Sequence, residues 1–246
     1  MCCFSKTVDF VGNTNIFARG SKDGRQFLVY SMEFAAEEDL AMILPIPTPK
    51  ASAEDAVKFI SLKKYDAFFA DLRKGFLEPR GAKKDAPPAP GLGAALPVVE
   101  VGDFIASFVP AVKDFARLDE KFRLPAGVWD KLPQYKEFGF AVFKLKKPTE
   151  NTSRPHPMAF EFPRADPKVL FFPTVHIHDG KVTEKAEFDH MLYCQVSGDA
   201  PLKWDESEAL ADAFVKVKAA EGIVDGDAHM YRKLMKGRFD NKDVLV

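Results

Sequence analysis

Residues 171–194 read FFPTVHIHDGKVTEKAEFDHMLYC and gather three of the chain's five histidines and one of its three cysteines. The aromatic and β-branched run through Ile177 has the composition of a strand, and Asp179-Gly180 supplies a turn signal after it. On a strand, His176 and His178 share one face while Ile177 enters the other. His190 and Cys194 lie four apart, and a local helical turn would set both on one side. With the turn folding the second pair back on the first, His176, His178, His190 and Cys194 form a candidate four-ligand metal site. Imidazole nitrogens and a thiolate suit zinc, copper or iron better than magnesium or calcium. Asp189 would orient a ligating imidazole from behind. The competing reading keeps the histidines as half-exposed strand residues and Cys194 as a small core hydrophobe.

Outward from that stretch, MAFEFP (158–163) and the segment 139–147 alternate as strands, and so do NTNIFARG (13–20) and RQFLVYSMEF (25–34) around the turn Lys22-Asp23-Gly24. Ala41–Leu44 continues the strand pattern, and the prolines at 45, 47 and 49 suggest an extended sheet edge. Connections this short favour antiparallel or mixed pairing. QFLVYSMEF followed by AMILPIP resembles EFGFAVFKLKK followed by MAFEFP in spacing, as two pseudo-repeated halves would.

Helical spacing is predicted over 53–60, opened by Ser52 and Asp55 as a cap, and over YDAFFADLRKGF (65–76). Further helices are predicted over 111–123, over 203–221 with Leu210, Phe214 and Val217 on one side, and over 226–236. The fold class is therefore α+β: an antiparallel or mixed sheet with covering helices. PRGAKKDAPPAPGLGAALP (79–97) is Pro/Gly/Ala-rich and reads as a surface loop inside a single domain spanning 1–246.

Composition limits function. The chain has 35 basic and 36 acidic side chains and a formal net charge of −1, so no global field draws it to nucleic acid or to an anionic membrane. No segment reaches the roughly 18 apolar residues of a spanning helix, and the N-terminus lacks a signal-peptide pattern. With Met1 as the native start, three cysteines fit a reducing, cytoplasmic setting; were a leader removed, a Cys2–Cys194 or Cys3–Cys194 disulfide would be open. The 23 phenylalanines fit a large core or a homo-oligomer surface alike.

Cys2 carries a second chemistry. Removal of Met1 would place its thiol beside a free α-amine, which can serve as the base for nucleophilic attack on an amide. Cys2, Arg19 and the out-of-register Asp23 resemble the opening of the N-terminal-nucleophile amidohydrolases related to choloylglycine hydrolase and penicillin V acylase. That resemblance covers roughly the first 25 residues and implies Cys2 as nucleophile and Arg19 as a substrate-side cation. No counterpart of that family's downstream asparagine and arginine emerges. Three functions follow: a transition-metal-binding protein acting as a metal-dependent enzyme on a small-molecule or peptide substrate, which is preferred; a cysteine amidohydrolase; and a non-catalytic structural or binding domain.

Overall fold

The computed structural model describes residues 2–77, 99–101, 104–124, 127–148, 152–177 and 182–246. Two sheets face each other. The first has six strands in the order β11 (His176–Ile177), β1 (Cys2–Phe4), β4 (Leu40–Ile46), β8 (Gly139–Leu145), β7 (Phe104–Val109) and β6 (Val99–Val101). The second has seven: β13 (Asp205–Glu206), β14 (Tyr231–Asp240), β12 (Lys185–Gln195), β2 (Phe10–Gly20), β3 (Arg25–Ala35), β9 (Met158–Pro163) and β5 (Lys58–Ser61). β10 (Phe171–Phe172) and β15 (Val244–Leu245) form a separate two-stranded pair. β1 runs parallel to β11 and β12 parallel to β2; the other pairings are antiparallel. The expected α+β class with mixed sheets is what the chain adopts.

Period-two alternation builds the layers. In β3, Leu28, Tyr30, Met32 and Phe34 enter the space between the sheets, while Val29 faces outward under α1 (Phe68–Lys74). Phe143 of β8 meets Phe160 of β9 at 5.9 Å, and Phe59 of β5 packs edge-on against Phe143 at 5.6 Å, so aromatic rings tie one sheet to the other. Each fully buried ring of this kind contributes about 1.5–3 kcal/mol relative to exposure. Outside the seven-stranded sheet, Phe68, Phe69 and Leu72 of α1 cover Phe17 and Tyr193. Outside the six-stranded sheet, short 3-10 turns at Val112–Arg117 and Pro133–Tyr135 bring Phe115 and Tyr135 onto Phe140 and Val142.

The two similar segments occupy equivalent places. β3 pairs with β9 in one sheet and β4 with β8 in the other, so exchanging β3 for β8 and β4 for β9 maps each pair and each sheet onto its counterpart. β4 is an interior strand, not the edge that its prolines suggested. Among the described residues its pairing with β1 runs only as far as Ile43, and Pro45 pairs with Phe140 of β8 on the other side.

The helical expectations hold only at 65–76. Residues 53–60 lead into β5, and 111–123 form 3-10 turns. Across 203–221 there are only brief turns at Ala211–Ala213 and Val217–Ala220, because the backbone donors go elsewhere. Glu208 N–H reaches Gly75 O, Ala211 and Asp212 N–H reach Ala228 and Gly226 O, and Lys216 N–H reaches the Tyr65 hydroxyl. Residues 231–236 belong to β14, whose ten-position pairing with β12 overrides local helical spacing.

Amide and carboxylate side chains close the short strands. Asn241 accepts the His176 N–H at 2.7 Å and donates to His176 O at 3.0 Å, standing in for a neighbour strand on β11. Gln26 treats Phe171 of β10 the same way, at 3.0 and 2.7 Å. Asp243 accepts from Thr174 N–H at 2.8 Å, Val175 N–H at 3.2 Å and the Tyr135 hydroxyl at 2.6 Å. Cys3 and Cys194 lie in different layers, so they do not form the disulfide considered above; the Cys2 side chain is outside the described part.

Two outcomes are expected. Asp243→Ala strands three donors and lowers unfolding free energy by about 2–4 kcal/mol in urea titrations, while Tyr135→Phe, losing one bond, lowers it by about 1 kcal/mol; equal or negligible losses would contradict the shared-carboxylate arrangement. Burial pushes the Cys194 thiol up to about 12, so at pH 8 it is unionised and shielded. Peptide mapping after iodoacetamide treatment should find Cys194 unmodified in native protein and modified in urea.

Candidate partner-binding groove

Of the residues singled out from the sequence, His176 and His190 meet, whereas Cys194 lies apart from them. His190 lies in β12, 2% exposed, on the face that also carries Phe188, Leu192 and Cys194 into the space between the sheets. His176 approaches it from β11, with the two Nε2 atoms 3.2 Å apart and both rings against Phe188. At that separation one ring donates an N–H to the other, its direction set by the tautomers. Cys194, 0% exposed, is four residues along an extended strand from His190, about 13 Å away at roughly 3.3 Å per residue. The helical turn that would have closed this gap is absent. Asp189 points to the other face, where it accepts Asn13 N–H at 3.3 Å. His178 lies outside the described residues. No group of three or more His, Cys, Asp or Glu able to hold a metal occurs among the described residues. The expected zinc, copper or iron centre is therefore corrected: strand geometry keeps Cys194 away from the His176–His190 pair, and two imidazoles without a third ligand are not such a centre.

The amidohydrolase pair is divided as well. Cys2 sits in β1 of the six-stranded sheet, its backbone in register with His176, whereas Arg19 ends β2 in the seven-stranded sheet. The Arg19 guanidinium donates to Ile223 O at 2.7 Å and Gly222 O at 2.6 Å, and it lies 5.2 Å from the centre of the Phe27 ring. Desolvation lowers its pKa, and the carboxylates of Asp225 and Glu161 pull it back up. Arg19 thus fastens the 222–223 turn.

Arg19 also borders a groove of about 720 Å³ at one end of the seven-stranded sheet, beside β15. Arg164, Lys168 and Lys233 complete its cationic rim, and Asp199 and Asp225 are its carboxylate side chains. Arg164 is held by bonds from Nε to Gly24 O at 3.2 Å and from Nη1 to Val169 O at 3.0 Å. The Gln195 amide donates to Asp225 O at 2.7 Å and accepts Asp225 N–H at 2.9 Å, fixing the loop beside Arg19. Trp204 packs on Phe172 at 5.6 Å, and the Lys233 ammonium lies 5.9 Å from its ring centre. The groove joins an aromatic wall to positive charge, the mixture that orients a ligand carrying both apolar and anionic groups. Apart from Arg19, the sequence reading missed these residues. They come from separate elements with no common spacing, and Trp204, one of two tryptophans, was the available signal.

Among the described residues no helix is long and apolar enough to cross a membrane. No protein-family model matches the chain, and no curated protein matches its sequence. Solved structures do match its fold. Baculovirus P35 aligns over 97% of this chain and 96% of that one, with 15% identity and a TM-score of 0.53. A mutated baculovirus P35 after caspase cleavage aligns over 94% and 98%, again at 15% identity, with a TM-score of 0.52. The likeness to baculovirus P35 runs over almost the whole chain and shows its fold; the expectation of a metal-dependent protein gives way to the absence of a metal-holding cluster among the described residues.

Proposed function

We propose that the chain is a non-catalytic binding protein acting on another protein, with an endopeptidase as the partner class, and that residues 1–246 work as one domain. The observation that carries this reading is the fold likeness to P35, one form of which is described after caspase cleavage. The buried thiol of Cys194, outside any disulfide, supports work in a reducing compartment such as the cytoplasm.

The stretch best suited in sequence to meet a proteinase lies around 79–97, which reads from its composition as a surface loop and falls outside the described residues. Proline, glycine and alanine dominate it, a composition that favours exposed connectors where nicking is tolerated. It contains Arg80, Lys83 and Lys84 as well as Asp85, so basic-specific and acidic-specific endopeptidases both find a matching side chain there. Either side of it, the chain is tied by independent packing: α1 and Phe76 against Tyr193 on one side, β6 paired with β7 on the other.

The test is incubation of the full chain with a caspase and, separately, with trypsin, followed by intact mass, native electrophoresis and residual activity on a small peptide substrate. The expected result is one early cut within 79–97, with the fragments held together and the enzyme retained and slowed on its peptide substrate. Release of the enzyme with unchanged activity, or cuts scattered through the strands, would contradict the reading.

A further inference from the structure

We infer that the groove at the end of the seven-stranded sheet docks an extended acidic and apolar segment of a protein partner, which adds as a strand to the outer edge of β15. This goes beyond the endopeptidase reading and does not depend on it.

The first argument is the direction of the backbone. Leu170 and Val246 exchange both bonds, N–H to O at 2.6 Å and 2.9 Å, and Phe171 and Leu245 are the next opposed pair. Hydrogen-bonded and non-hydrogen-bonded pairs alternate in an antiparallel ladder, so Leu245 turns its N–H and C=O away from β10. The same rule turns the N–H and C=O of Phe171 away from β15, and there both are met by the Gln26 amide. The outer edge of β10 is thus closed by a side chain, while no described strand pairs with the outer edge of β15. A two-residue edge that presents one donor and one acceptor suits strand addition by a peptide.

Side chains and charge supply the rest. Leu245 is 63% exposed and Leu202 91% exposed, and both border the groove beside Trp204. Apolar side chains left in water around an aromatic wall mark a contact surface more often than chance placement. The α-carboxylate of Val246 also borders the groove, so four cationic side chains against three carboxylates leave a positive excess of one in a chain whose formal net charge is −1. Arg19 and Arg164 each spend two donor groups on main-chain oxygens, which fixes the guanidinium planes and leaves further N–H groups for an incoming carboxylate. An occupant with alternating acidic and apolar side chains satisfies both sets at strand spacing; a basic segment meets repulsion.

The test uses the full chain and free decapeptides in which Leu or Phe alternates with Glu or Asp, beside matched sets carrying Lys or Arg, read by fluorescence polarisation. The acidic set should bind about tenfold or more tightly than the basic set, with the difference shrinking as salt rises. Lys168→Glu with Lys233→Glu should weaken binding about tenfold. Leu245→Pro removes the outward N–H without touching the bonds to β10, and should weaken binding about fivefold with the melting temperature preserved. Equal binding of acidic and basic peptides, or binding unaltered by these substitutions, would overturn the inference, as would binding of dodecanoate with none of any peptide. No endopeptidase enters the measurement, so its failure and that of the preceding proposal are read separately.

Discussion

The structure depends on the pairing of β12 with β2 on one side and β14 on the other. Ten positions of β12 oppose β14, from Lys185 against Asp240 to Cys194 against Tyr231, and six run parallel with β2, from His190 against Thr14. Those ladders satisfy the backbone of residues 185–195 through distant partners, so the segment stays extended whatever its local preference. Extension sends Phe188, His190, Leu192 and Cys194 between the sheets and Met191 and Tyr193 outward beneath α1. It also delivers Gln195 and Lys233 to the end of the sheet where the groove opens.

Much of the architecture was legible because long strands carry a period of two. QFLVYSMEF, GFAVFKL and MAFEFP each have one face in the inter-sheet layer, and their alternation says so directly. The pseudo-repeat was legible for the same reason, since β3–β4 and β8–β9 bury similar residues in exchanged sheets. Spacing of four, by contrast, is ambiguous. His190 and Cys194 share a face in either a helix or a strand, but they stand about 6 Å apart in the first and about 13 Å in the second. The metal reading needed the first, and the chain takes the second. The helices expected at 203–221 and 226–236 failed alike, because partners for their backbone donors, such as Gly75, Gly226 and β12, are remote in sequence.

The site was the least legible part. Arg19 drew notice as a cation beside a cysteine, yet its guanidinium holds a turn and borders a groove assembled from four other regions. A docking function such as the one proposed leaves no motif, since it needs a surface and an open strand edge instead of a few reacting atoms in fixed geometry.

The most direct test of this account is an NMR measurement of backbone contacts across residues 185–195. An extended β12 predicts cross-strand contacts between His190 and Met235 and between His190 and Thr14, with strong sequential contacts within the segment. Medium-range contacts of helical type between His190 and Cys194, with the cross-strand signals missing, would contradict it and restore the clustered arrangement of imidazole and sulfur.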